Sequence, residues 1–100
     1  MNLNHFTIKS QEALQNAVTI AQQNQNQAVE PGHILKGLLG NGDNVIQYLL
    51  KKLDVNTNHM KQVLDSIVES YPKVSGGGEP YLSNNSNKAL QQAMNHSKDY

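Results

Sequence analysis

Four histidines, three consecutive glycines and a scatter of Ser and Thr hydroxyls are the residues of this chain that could carry chemistry. Their spacing limits what they can do. His5, His33, His59 and His96 lie far apart, and no two stand three or four positions from one another. No helix can therefore present two imidazoles to one ion, and the sequence names no metal ligand. His33 opens an apolar helical stretch, where a ring that hydrogen-bonds a neighbouring cap or carbonyl is the expected role. Gly76-Gly77-Gly78 lacks the Gly-Lys-Ser/Thr ending of a phosphate-cradling loop, so no cofactor-binding residue is assigned. Thr7, Ser10 and Ser83 read as helix caps or helix-surface hydroxyls rather than nucleophiles. Glu12, Glu30, Asp43 and Asp54 fall on separate elements, which leaves no paired carboxylates for acid–base work. The expectation is a non-catalytic chain with no catalytic residue.

Composition narrows the partners. One hundred residues make one domain at most. Eight lysines balance eight acidic residues, and arginine is absent. A neutral chain without guanidinium forks lacks the electrostatic footprint of a nucleic-acid binder. No apolar run approaches the roughly 20 residues of a membrane span, and the first residues show neither the basic nor the apolar region of a signal peptide. The expected location is cytoplasmic, with no nucleic acid and no membrane as partner. Thirteen Asn and ten Gln are spread between apolar positions at helical spacing, and so read as the solvent faces of helices.

Five helices account for that spacing. The first runs from Ile8 to about Asn24, capped by Thr7, with the slim stripe Ala13, Leu14, Ala17, Val18 and Ala21. Asn24–Gln27 is a polar turn. The second starts at Glu30-Pro31, where proline is favoured, and carries Ile34, Leu35, Leu38 and Leu39. Gly40-Asn41-Gly42 ends it with residues that tolerate positive φ. The third, capped by Asp43, runs from about Asn44 to Leu53 with Val45, Ile46, Leu49, Leu50 and Leu53 on one face. The fourth, capped by Asn56, has the cleanest stripe: Met60, Val63, Leu64, Ile67, Val68 and Tyr71, stopped by Pro72. The fifth opens at Ser83 and carries Ala89, Leu90, Ala93 and Met94. No segment reads as a strand, so the fold class is all-α. The triple glycine reads as a flexible tether, which leaves the fifth helix free to fray or to dock on another copy.

Shifting the chain by 76 positions superposes the first and fifth helices. Ser10 then meets Ser86, Ala13 meets Ala89, Leu14 meets Leu90, Gln15 meets Gln91, Ala17 meets Ala93 and Val18 meets Met94. The expected organisation is a first repeat of four helices at 1–71, a Gly-rich linker at 72–82, and at 83–100 the first helix of a second repeat, truncated there. Phe6-Thr7, Ser10, Glu12-Ala13-Leu14, Ala17 and Ala21, followed by Glu30-Pro31-x-His33-Ile34-Leu35-x-x-Leu38-Leu39 and by Pro72-Lys73-Val74-Ser75-Gly76-Gly77, resemble the Clp amino-terminal repeat domain over the whole chain. The Glu-Pro before His33 and the opening Met-Asn-Leu-Asn-x-Phe-Thr resemble the form found in ClpB-type AAA+ disaggregases.

That resemblance implies a substrate-binding domain that captures exposed apolar segments of unfolded or aggregated polypeptides. Its groove would lie between the two pseudo-repeats, lined here by Phe6, Thr7, Ile8, Gln11, Gln92 and His96. It also implies a longer parent protein that uses ATP and Mg outside these residues, assembles as a homohexamer and works with an Hsp70-type chaperone system. The alternative within the family is an adaptor-docking domain of a Clp protease-partner unfoldase; outside it, a helical scaffold with no client. Since no phosphate cradle exists within 1–100, the isolated chain is expected to show no ATP binding by calorimetry and no ATP hydrolysis.

Overall fold

The chain places five helices and one very short parallel strand pair in the order α1 (Ile8–Gln23), β1 (Ala28–Val29), α2 (Pro31–Leu39), α3 (Asn44–Lys52), α4 (Thr57–Ser70), β2 (Tyr81–Leu82) and α5 (Asn84–Ser97). The structure is a computed structural model describing residues 7–40 and 44–97; Phe6 and the expected cap Asp43 lie outside the described residues. The fold is mainly helical, as the periodicity implies.

α1 begins where Thr7, in extended backbone, lets its Oγ1 accept the Ser10 amide at 3.1 Å. Ala13, Leu14, Ala17 and Ala21 form its buried face. The alanines bring α2 so close that a Cβ added to Gly37 would stand 2.5 Å from the Ala13 carbonyl oxygen. α1 ends in a Schellman turn: the Asn26 amide reaches back to Ala21 O at 2.8 Å and the Gln25 amide to Gln22 O at 3.0 Å. Gln25 occupies the left-handed position at φ 60, where glycine is usual. α3 closes the same way on Asp54, at φ 58, with the Val55 amide on Leu50 O and the Asp54 amide on Lys51 O. Such turns cost a non-glycine residue about 1–2 kcal/mol. The expected positive φ at the end of α2 is absent from Gly40, which stands at φ −88; Asn41 and Gly42 lie outside the described residues.

The helix faces are narrower than the sequence stripes. On α4 only Leu64 and Val68, one turn apart, are buried, while Val63 and Ile67 are 43% and 40% exposed. α4 rests chiefly on α2 along that ridge and more lightly on α3, so the flanks of its stripe stay partly open. α3 likewise leaves Leu49 half exposed, and Leu53, just past its end, is largely bare. The tightest cluster is Ala17, Ala21 and Val29, with Val18, Ile34 and Leu82 packed against it.

Two expectations need correction. A strand pair exists: β1 and β2 run parallel with Ala28 opposite Tyr81 and Val29 opposite Leu82. Two-residue strands are too short to show a period of two, and the partners are separated by about half the chain. The glycine-rich segment is also fastened rather than free. The Val74 amide donates to Gln25 O at 2.7 Å and the Tyr81 amide to Gln27 O at 3.1 Å, so both ends of the loop are held by carbonyls two residues apart. α5 is fixed in turn by Ser86, whose hydroxyl donates to Val29 O at 2.6 Å and is fully buried. Leu90 of α5 is buried, but Ala89 and Ala93 remain exposed.

Leu64→Ala should lower unfolding free energy by about 2–4 kcal/mol in urea titrations, against well under half that for the exposed Ile67→Ala. Gly37→Ala should also destabilise, by roughly 1–3 kcal/mol, despite alanine's better helix propensity. A neutral Gly37→Ala would mean that α1 and α2 are not in backbone contact.

Candidate polypeptide-binding surface

The residues singled out for polypeptide binding sit on two helices that both rest on α2. Thr7, Ile8 and Gln11 belong to the first turn of α1. Thr7 caps that helix and donates its own hydroxyl proton to Ser10 Oγ at 3.0 Å. Ile8 is 75% exposed, so it is not the packed staple residue that a helix entry often holds. Gln11 is half-buried, and its amide donates to Thr7 O at 2.9 Å. Gln92 and His96 lie in the second half of α5, both exposed, beside the uncovered Ala93. Phe6 falls outside the described residues. The two helices meet through α2 rather than through a broad contact of their own: α1 shows Ile8 beside the Lys9–Glu12 ion pair, and α5 shows Gln92, Ala93 and His96.

What holds the two helices in place is a polar network that the spacing hinted at only through His33. That ring has no exposed surface. Its Nδ1 accepts the Glu30 amide at 2.8 Å, which fixes the proton on Nε2, and Nε2 donates to Asn26 Oδ1 at 2.8 Å. The Tyr71 ring lies against it, centroids 4.9 Å apart. Burial holds the imidazole below its ordinary range; nearby Glu30 opposes this and Lys36 reinforces it. Burial likewise raises the Tyr71 phenol, although contact with the Gly32 backbone works the other way. Asn26 donates through Nδ2 to Pro72 O at 3.0 Å, and Asn24 donates both to Asn26 Oδ1 and to Val68 O. Lys73 closes the outer side, with Nζ 2.6 Å from Asn24 Oδ1. His33 thus plays the structural part expected of it. Asn26 was missed: among so many surface amides, nothing in its type or spacing marks it as buried at 5% exposure.

Among the described residues no three His, Asp or Glu side chains gather around a possible ion, and no helix is long and apolar enough to cross a membrane. A cleft of about 450 Å³ between α1, α2 and α4 has Ile20, Leu39 and Leu64 on its walls and the 2.9 Å Lys36–Asp65 ion pair at its rim. It holds no pairing of nucleophile and base.

Asn26→Ala would strand the His33 Nε2–H and the Pro72 carbonyl. A loss of roughly 1–3 kcal/mol is expected by thermal or urea unfolding, the range for buried polar groups left without partners. A change below about 0.5 kcal/mol would show that the network contributes little.

Comparison with known proteins completes the picture. The model of the Clp repeat (R) N-terminal domain matches residues 5–100. The chaperone protein ClpB of Bacteroides thetaiotaomicron is 52% identical over 99 residues, covering 99% of this chain and 11% of that protein. ClpB of Porphyromonas gingivalis is 44% identical over 93 residues, and ClpB of Bacillus cereus 32% over 94 residues, each again covered over 11% of its length. The chain thus spans about a ninth of these curated relatives. No solved structure matches significantly. With its two repeat-opening helices, its Glu-Pro-x-His helix start and this match over nearly every residue, the chain belongs to the Clp repeat N-terminal domain family, in the form that ClpB chaperones carry.

Proposed function

We propose that this chain is the client-capturing domain of an ATP-dependent protein disaggregase, holding apolar segments of unfolded or aggregated polypeptides across the head of α1 and the outer face of α5. The observation that carries the reading is the exposure of Ile8, 75% open to solvent in the first turn of α1. Thr7 and Gln11 supply hydrogen-bonding groups beside it, Gln92 and His96 supply others on α5, and Phe6 precedes it in sequence. Such a surface holds apolar side chains without a charge requirement, which suits clients of unrelated sequence. Binding through so few aliphatic groups is weak, and weak binding lets a client pass onward. The parent protein, on this reading, is a cytoplasmic homohexamer that hydrolyses ATP with Mg outside the present residues and cooperates with an Hsp70-type chaperone system.

Titration of the ¹⁵N-labelled chain with a reduced, permanently unfolded polypeptide should shift the amides of Thr7, Ile8, Gln11, Gln92 and His96 together, in the micromolar-to-millimolar range. Ile8→Asp should weaken that binding at least fivefold without changing unfolding free energy by more than about 0.5 kcal/mol, the usual limit for an exposed site. Shifts confined to the Lys36–Asp65 cleft would overturn the assignment. Tight binding to one folded partner, with none to unfolded chains, would point to the adaptor-docking role instead.

A further inference from the structure

His33 is the buried titratable group that the client-binding reading does not use, and its hydrogen bonds reach further than a helix cap requires. Nδ1 needs a lone pair to accept the Glu30 amide. A second ring proton would place two N–H donors with their nitrogens 2.8 Å apart, facing each other, in a site with no exposed surface. The ring can escape only by turning, and turning takes Nε2 away from Asn26 Oδ1. Asn26 is the residue through which the stretch 25–29 is positioned. Its side chain holds Pro72 O, and its backbone bridges Lys73. The carbonyls of Gln25, Gln27 and Val29 on that same stretch accept the amides of Val74, Tyr81 and Ser83, and Val29 O also accepts the Ser86 hydroxyl. Every one of these bonds ties the segment 72–82 or the start of α5 to the helical core.

We propose that His33 is a proton-operated fastener: uptake of a second ring proton frees the segment 72–82, and α5 with it, from the rest of the domain. The groups around the ring are few. Its own helix brings Lys36 and, at the cap, Glu30. α4 brings Asp65, already paired with Lys36, and Glu69, with Tyr71 just past its end. The segment after α4 brings Lys73, which sits 3.8 Å from Glu69 and bonds Asn24. The α1 turn at 24–27 and β1 contribute no titratable side chain. Burial keeps the folded imidazole below the ordinary 6.5. The contribution of the neutral ring to the fastening is therefore complete above pH 6.5 and is lost as pH falls through the lower folded value. The inference stands apart from client binding and can fail or hold independently of it.

The test follows the ¹⁵N-labelled chain from pH 7.5 to 4.5. Long-range ¹H–¹⁵N spectra read the protonation state of His33, and amide exchange, corrected for its intrinsic pH dependence, reads the fastening. Above pH 6.5 the ring should be neutral with its proton on Nε2. As Nδ1 takes up a proton, the amides of Val74, Tyr81 and Ser83 should gain at least tenfold in exchange relative to those of Ala17 and Ala21 in α1. The double variant H59Q/H96Q, which removes two exposed histidines, should behave identically. The proposal is overturned if the three amides keep step with α1 through the titration of His33. It is equally overturned if the ring stays neutral until the whole chain unfolds, or if the acid response vanishes in H59Q/H96Q.

Discussion

The bond between His33 Nε2 and Asn26 Oδ1 joins the two parts of the chain that everything else is built on. His33 belongs to the start of α2, the helix on which α1, α4 and α5 all rest. Asn26 belongs to the turn that follows α1 and leads into β1. A buried amide and a buried imidazole satisfy each other here, and their remaining atoms are used as well: Nδ1 by the Glu30 amide, Nδ2 by the Pro72 carbonyl. No buried side-chain nitrogen or oxygen among the described residues lacks a partner. Fully satisfied networks of this kind select one arrangement of the backbone over its alternatives, because each partial arrangement leaves a costly orphan.

Much of the fold was legible because it depends on local rules. Thr7, Asn56 and Ser83 all cap as their types suggest, with the Ser10, His59 and Ser86 amides on their side-chain oxygens. Pro31 opens α2 and Pro72 follows the end of α4. The internal repeat is visible at the level of single hydroxyls: Thr7 with Ser10, and Ser83 with Ser86, make the same pair of bonds in the same register. What escaped reading depends on contacts distant in sequence. Asn26 looks like its neighbours Asn24 and Gln25 until His33 and Pro72 are brought against it. The β1–β2 pair has too few residues for a pattern. The exposed flanks of α3 and α4 carry apolar residues at helical spacing, which a sequence cannot distinguish from core.

The candidate surface was less legible than the fold for a related reason. Burial follows periodicity, but recognition of varied polypeptides needs no particular charge, metal or nucleophile, so it leaves no motif of its own. Resemblance to a family supplied Phe6, Thr7, Ile8, Gln11, Gln92 and His96, and for all but Phe6, which lies outside the described residues, the structure adds how far each is open to solvent.

The loop between Val74 and Tyr81 begins and ends on the carbonyls of Gln25 and Gln27. Its anchors are set by the turn that leads into β1, not by the number of residues between them. The path of the glycines is therefore uncoupled from the placement of α5. Lengthening a closed loop costs only about 0.6 kcal/mol per doubling, so residues could be added beside Gly78, where a side chain would meet nothing, but not at Gly77, which packs against the Gln27 carboxamide. That segment is where this domain can vary in length, or accept an inserted label, while its architecture stays constant.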